Sequence, residues 1–255
     1  MVCLIKFGEL EYMKKLIDGE FYFSHAKRFR ELEDELIKGQ GDKFEGKAVV
    51  NTMSVRMYDP DTDEFLGELK TDLMTFSAAM VTNIPVYCLS VFWQDDCIFY
   101  KDSDNYALHF SDDIIKTIRE HFPKADTAAI FHAPQDLLAV LEEQTKGTLV
   151  HNPVEYLSVK PIGMEWIRFV GADDIEKIDG GSKLSITTNN VHRTLFAKDT
   201  FFRDEKEYRV LIRDEQISTP EVRTYNIGNS GTLIDMEKLF RKGLKVVDAS
   251  VVNFS

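Results

Sequence analysis

The sequence predicts an α+β class: a single mixed α/β domain over residues 1–255, built on a bent, mostly antiparallel sheet flanked by helices. Three observations predict it. Short apolar or alternating runs recur along the chain with turn residues between them, as strands do. Two stretches, Ser111 to Phe122 and Pro134 to Thr145, repeat apolar residues at helical spacing. No internal repeat, low-complexity tract or Pro/Gly linker divides the chain.

Val2 to Phe7 reads as a short strand broken by Gly8, and Glu9 to Asp18 as a helix with Leu10, Met13 and Ile17 at helical spacing, stopped at Gly19. Glu20 to Ser24 is a second strand. Lys27 to Lys38 is a helix with Phe29, Leu32, Leu36 and Ile37 on one face, closed by Gly39. Gly39 to Gly46 holds three glycines and is a tight loop, either a plain turn or a cleft-lining loop that offers Asp42 and Glu45. Lys47 to Tyr58 alternates like one strand, turns at Asp59–Asp63, and returns as Glu64 to Lys70. Leu73 to Thr82 and Val86 to Trp93 are rich in apolar and β-type residues. The second is almost continuously apolar, which marks a central strand buried on both faces.

Tyr106 to Phe110 is a further strand. Ser111 then caps a helix with two acids in its first turn and Ile114, Ile115, Ile118 and Phe122 inward. Thr127 to His132 is a buried strand, Pro134 opens a helix that turns Leu137, Leu138 and Leu141 inward, and Val154 to Val159 is a strand. Periodicity is weak from Pro161 to Asn190. Val191 to Lys198 reads as a short helix, Glu207 to Ile212 as a half-buried strand, and Val222 to Ile227 as its hairpin partner. A short helix around Asp235 to Arg241 and a strand from Leu244 to Val252 complete the chain.

The 31 Lys and Arg against 43 Asp and Glu leave a formal charge of −12. That balance argues against general nucleic-acid binding or docking on an anionic membrane. Cys3, Cys88 and Cys97 are odd in number and show no CxxC spacing, so the expectation is a reducing compartment without a disulfide framework. No run is long and apolar enough to span a membrane, and the first residues lack the features of a signal peptide. The expected location is cytoplasmic.

The chemistry-bearing stretch is Phe201 to Ile212, in which charged residues run directly into an apolar strand. Glu207 and Arg209 alternate with Tyr208 and so share a face, either as an ion pair at a solvated rim or as a cleft pair. The six histidines, His25, His109, His121, His132, His151 and His192, lack metal-site spacing and read as surface or capping residues, with His25 kept as a ligand-binding candidate. Asp204-Glu205-Lys206 with an upstream acid such as Asp42 leaves a metal-dependent nuclease open as a lesser alternative.

Several fragments in this order resemble a large uncharacterised bacterial and phage family: the strand ending Lys6-Phe7, Gly19 to Ser24, Arg28-Phe29-Arg30, Gly41 to Gly46, the strand ending Leu89-Ser90, and Glu205-Lys206-Glu207-Tyr208-Arg209. Where many members carry a "WSHYA" element, this chain reads Cys97 to Asp102. The layout is also remotely similar to the ADP-ribosyltransferase superfamily. That resemblance implies NAD as cofactor, Glu207 or Glu205 as the catalytic carboxylate on a late strand, and a site drawn from Lys6, Tyr22, Ser24, His25, Arg28, Arg30, Asp42, Glu45, Ser90 and Arg209. A Glu in this role stabilises an oxocarbenium-like transition state, an aromatic ring stacks on nicotinamide, and Arg28 or Arg30 pairs with the pyrophosphate. The expected activity is that of an NAD- or nucleotide-binding toxin or effector in phage–host conflict. The rival is a non-catalytic binding or inhibitor protein whose acidic surface or cleft holds a ligand, or a host or phage protein.

Overall fold

The computed structural model describes residues 1–34, 46–50, 55–59, 62–69, 74–77, 79–99, 106–157, 175–178, 181–184 and 191–246. They form two compact units, one from Met1–Ser24, Pro85–Val154 and Phe202–Ser255, the other from His25–Ile84 and Glu155–Phe201.

The first unit is built on a six-stranded sheet. In chain order its strands are β1 (Cys3–Gly8), β2 (Val86–Phe92), β3 (Thr127–Phe131), β4 (Leu149–Pro153), β5 (Glu207–Ile212) and β6 (Gly231–Asp235). In space they lie β4-β5-β2-β1-β3-β6, and every neighbouring pair is antiparallel. The α+β class and the mostly antiparallel sheet are therefore as the sequence predicts. β2, the near-continuous apolar run, sits between β5 and β1 and is buried on both faces.

Alternation along the strands sorts the core into two layers. One face carries Leu4, Leu89, Val91, Phe131, Tyr208 and Val210 and is covered by α1 (Leu10–Ile17) through Met13 and Leu16, and by a later helix, Pro134–Gln144, through Leu137, Leu138 and Leu141. The other carries Cys3, Ile5, Phe7, Ala128 and Ile130 and packs Leu108, Phe110, Ile118, Met236 and Leu239. Three of those last five come from helices, Ile118 from α2 (Asp112–His121) and Met236 and Leu239 from the C-terminal helix Met236–Lys242; each helix is capped by the preceding side chain, Ser111 accepting from the Ile114 N–H and Asp235 from the Lys238 N–H.

A two-stranded ribbon, Glu20–Phe23 against Glu221–Thr224, lies on the first face. Its inner residues Phe21 and Phe23 pack on Tyr87 and Tyr225. Gly19 starts it at φ +98°, where a Cβ would stand 2.0 Å from the Tyr225 carbonyl oxygen, so only glycine fits this approach. Ser24 then exchanges backbone hydrogen bonds of 2.8 and 2.9 Å with Val86.

Two expectations change here, and two strands are new. The segment Val222 to Ile227 pairs with Glu20–Phe23 instead of forming a hairpin with β5, because both edges of β5 are already taken by β2 and β4. β5 is buried along its whole length, not on one face. β4 and β6 are strands that periodicity alone does not mark.

In the second unit the helix Ala26–Asp34 begins at His25, and the expected continuation to Lys38 lies outside the described residues. Lys47 to Tyr58 is two strands, each with its own partner: Lys47–Val50 pairs with Met74–Ser77, and Val55–Tyr58 with Phe65–Leu69. Leu73 to Thr82 likewise divides into the strand Met74–Ser77 and a short helix, Ala79–Thr82. Val191–Phe196 is a 3-10 helix leading into Ala197–Asp199, which pairs in parallel with Glu155–Leu157. A hairpin of Ile175–Ile178 and Gly181–Leu184 falls in the stretch without clear periodicity.

Candidate functional site

The Glu205–Arg209 segment lies where a run of 3-10 turns, Thr200–Glu205, becomes β5. Lys206 makes the change of direction with φ +47°, a left-handed conformation that costs a non-glycine residue about 1 kcal/mol. The surroundings hold it there. Its carbonyl accepts the Val91 N–H at 2.7 Å, its Nζ pairs with Asp96, and the same ammonium lies 5.8 Å from the centre of the Phe92 ring.

The kink separates the two carboxylates and sends each to a different base. His121 at the end of α2 donates from Nδ1 to Glu205 Oε1 at 2.7 Å, with both side chains less than a tenth exposed and Phe202 beside the imidazole. Arg209 donates from Nε to Glu207 Oε1 at 2.8 Å and from Nη2 to Glu207 Oε2 at 3.3 Å. Arg209 is 1% exposed and among the largest fully buried side chains described. The two residues are i and i+2 on one strand, so the pleat puts both on the same face and the guanidinium fork meets the carboxylate side-on.

Cross-strand register completes this polar island: Ser90 lies directly opposite Glu207, and Cys88 opposite Arg209. Burial, with the Glu207 carboxylate as the next cause, pushes the Cys88 thiol far above its ordinary range. That suppresses the thiolate a nucleophile requires.

The remaining predicted residues are dispersed. Lys6 belongs to the opposite face of the sheet from Glu207, where its Nζ donates to the Cys88 carbonyl at 2.8 Å and lies 5.3 Å from the Tyr87 ring centre. Tyr22 is 59% exposed on the outer side of the ribbon. Ser24 is buried and bound through its backbone to Val86.

His25, Arg28 and Arg30 belong to the second unit. His25 is buried and caps its helix, with Nδ1 accepting the Arg28 N–H at 3.1 Å, while Arg28 reaches Glu31 at 3.7 Å. Asp42 and Glu45 lie outside the described residues. The structure thus brings Glu207, Arg209 and Ser90 together, with Glu205 in the adjoining turn, and places Lys6 and Tyr22 elsewhere.

Sequence reasoning missed two partners. His121 reads as a surface or capping residue but is buried against Glu205; its position at the last turn of an amphipathic helix was the available signal. Tyr208 and His151 form a second polar pair on the other face, sharing a 2.7 Å hydrogen bond with rings stacked at 5.9 Å. Burial pushes the Tyr208 phenol up to about 12 and the His151 imidazole down, the latter against a smaller upward pull from Glu142.

Among the described residues no group of three or more His, Cys, Asp or Glu side chains converges as a metal site, and no helix is long and apolar enough to cross a membrane. No protein-family model, curated protein or solved structure matches the chain.

Proposed function

We propose that this chain is a non-catalytic binding protein of the inhibitor type, acting in the cytoplasm on a host or phage protein with a basic, nucleic-acid-binding surface. The observation that carries this reading is the internal pairing of the Glu205–Arg209 segment. Its carboxylates are engaged by His121 and Arg209 and its ammonium by Asp96, in geometry that stiffens the fold. A transferase carboxylate has to meet a ribose hydroxyl, and both oxygens of Glu207 already accept hydrogen bonds from Arg209. The net charge of −12 suits a cationic partner.

The second reading, an NAD- or nucleotide-binding enzyme resembling ADP-ribosyltransferases, is favoured by Ser90 standing across from Glu207 on a central strand pair. Thermal unfolding in the presence of NAD, ADP-ribose, nucleotides, divalent cations and a Lys/Arg-rich peptide separates the two, because a ligand of the folded state raises the melting temperature. The inhibitor reading expects a salt-sensitive shift with the peptide alone. A shift with NAD or ADP-ribose that Glu207→Gln abolishes would hand the assignment to the enzyme.

A further inference from the structure

The ribbon Glu20–Phe23/Glu221–Thr224 has inverted polarity on its outer side. Tyr22 and Val222 stand directly opposite each other there, 59% and 55% exposed, while Phe21 and Phe23 fill the inner side. The Glu20–Phe23 strand has a neighbour on one side and the Ser24–Val86 bridge on the other. Glu221–Thr224 has, among the described residues, that one strand neighbour.

The direction of its free polar groups follows from one bond. The Tyr225 N–H donates to the Gly19 carbonyl at 2.9 Å, so Tyr225 faces inward; backbone groups alternate along an antiparallel strand, which turns Val222 and Thr224 outward. Pro220, which also faces outward, has no N–H to leave unpaired there.

We infer that this edge pairs with the same edge of a second copy of the chain, giving a two-fold dimer with a continuous four-stranded ribbon. The charges select both the partner and the register. In a two-fold antiparallel pair the pleat lets Val222 face only Pro220, Val222 or Thr224 of the second copy. The first register opposes Glu221 to Glu221, and the last opposes Arg223 to Arg223, both unfavourable. The middle register opposes Glu221 to Arg223 twice, adding a contact between copies to the pairs Arg223 makes in its own chain with Glu221 at 2.6 Å and Glu215 at 2.8 Å, and puts Val222 on the axis against its own copy.

In that register the two Val222 residues exchange both backbone hydrogen bonds, and each Thr224 N–H reaches the Pro220 carbonyl of the second copy. Tyr22, Val222 and their two copies then form one apolar row across the outer face. Charges that blunt an edge strand against foreign strands are thus complementary to themselves in this one arrangement. The inference is independent of the proposed inhibitor function.

Sedimentation equilibrium of the full chain from about 1 µM to about 500 µM, a span suited to a small interface, is the test. The expected result is a monomer–dimer equilibrium within that range. Val222→Lys, which sets like charges on the axis, and Val222→Pro, which removes an outward N–H and nothing inside the ribbon, should each weaken association at least tenfold at unchanged far-ultraviolet circular dichroism.

Glu221→Arg and Arg223→Glu should each be monomeric alone, and mixing them should restore the dimer as a heterodimer, which misfolded variants cannot do. A mass of one copy at every concentration overturns the inference. So does a dimer indifferent to Val222→Lys, or one that the mixed charge variants fail to restore.

Discussion

Two regions of the first unit break the inside–outside rule in opposite directions. The Glu205–Arg209 segment takes charge inside, while the ribbon puts Tyr22 and Val222 outside. Buried charge and exposed apolar surface are the informative exceptions in a folded protein, and here they mean different things. The segment's groups are answered within the same unit, by His121, Asp96 and Arg209, so the exception is resolved by folding. Among the described residues the ribbon's pair is matched only with itself, so the exception points to association.

The contrast is sharpest at Arg209. Removing one partner of a buried ion pair strands the other charge, so Arg209→Ala should destabilise the chain by about 3–5 kcal/mol in chemical denaturation. Replacing both partners together, as in Glu207→Leu with Arg209→Met, should recover most of that loss, since well-packed apolar residues can replace such a pair. A single-variant loss near zero would show that the segment is solvated and would erase the contrast.

Glu205→Ala comes next, at about 1.5–3 kcal/mol for a lost hydrogen bond between charged or polar buried groups. Lys206→Gly tests the kink differently: it relieves the left-handed backbone but gives up the Asp96 pair, so its net effect should be within about 1 kcal/mol of zero.

A smaller effect follows from His151. Burial holds its folded-state pKa below the unfolded value near 6.5, so the unfolded chain takes up the proton first. The contribution of the neutral ring to stability is therefore full above about pH 6.5 and is lost as pH falls through the folded pKa. Glu142 and the Tyr208 hydroxyl are the groups acting on it. His151→Phe should flatten the acid side of the stability–pH curve; an unchanged slope would assign that side to the carboxylates.

Least of all, Tyr22→Ser and Val222→Thr should alter monomer stability by less than about 0.5 kcal/mol, as surface changes do, while reducing self-association. A large stability loss from either would mean the ribbon's outer side is part of the monomer core.

Much of the first unit was legible before folding. β1, β2, β3, β5, α1, α2 and the Pro134 helix all fall within a few residues of their periodic signals. β4 was not, because Leu149–Pro153 has no alternation and ends in proline, which only an edge strand accommodates. β6 was hidden for a similar reason: its residues are half-buried or exposed at the opposite edge. Of the site, the Glu207–Arg209 adjacency could be read from strand spacing. Their depth could not, because it depends on β2 and β4 flanking β5, and those strands come from distant parts of the chain.

The sequence by itself determined what local physics controls: element types, helix caps, the turn at Gly19, the acidic charge and the placement of Glu207 and Arg209 on one face. Only the tertiary structure decided which strand Val222 joins, which base each carboxylate meets, and that Lys6 lies on the opposite face of the sheet from Glu207. Those outcomes rest on non-local pairing, where the pleat sets a side chain's face but the neighbouring strands set its company.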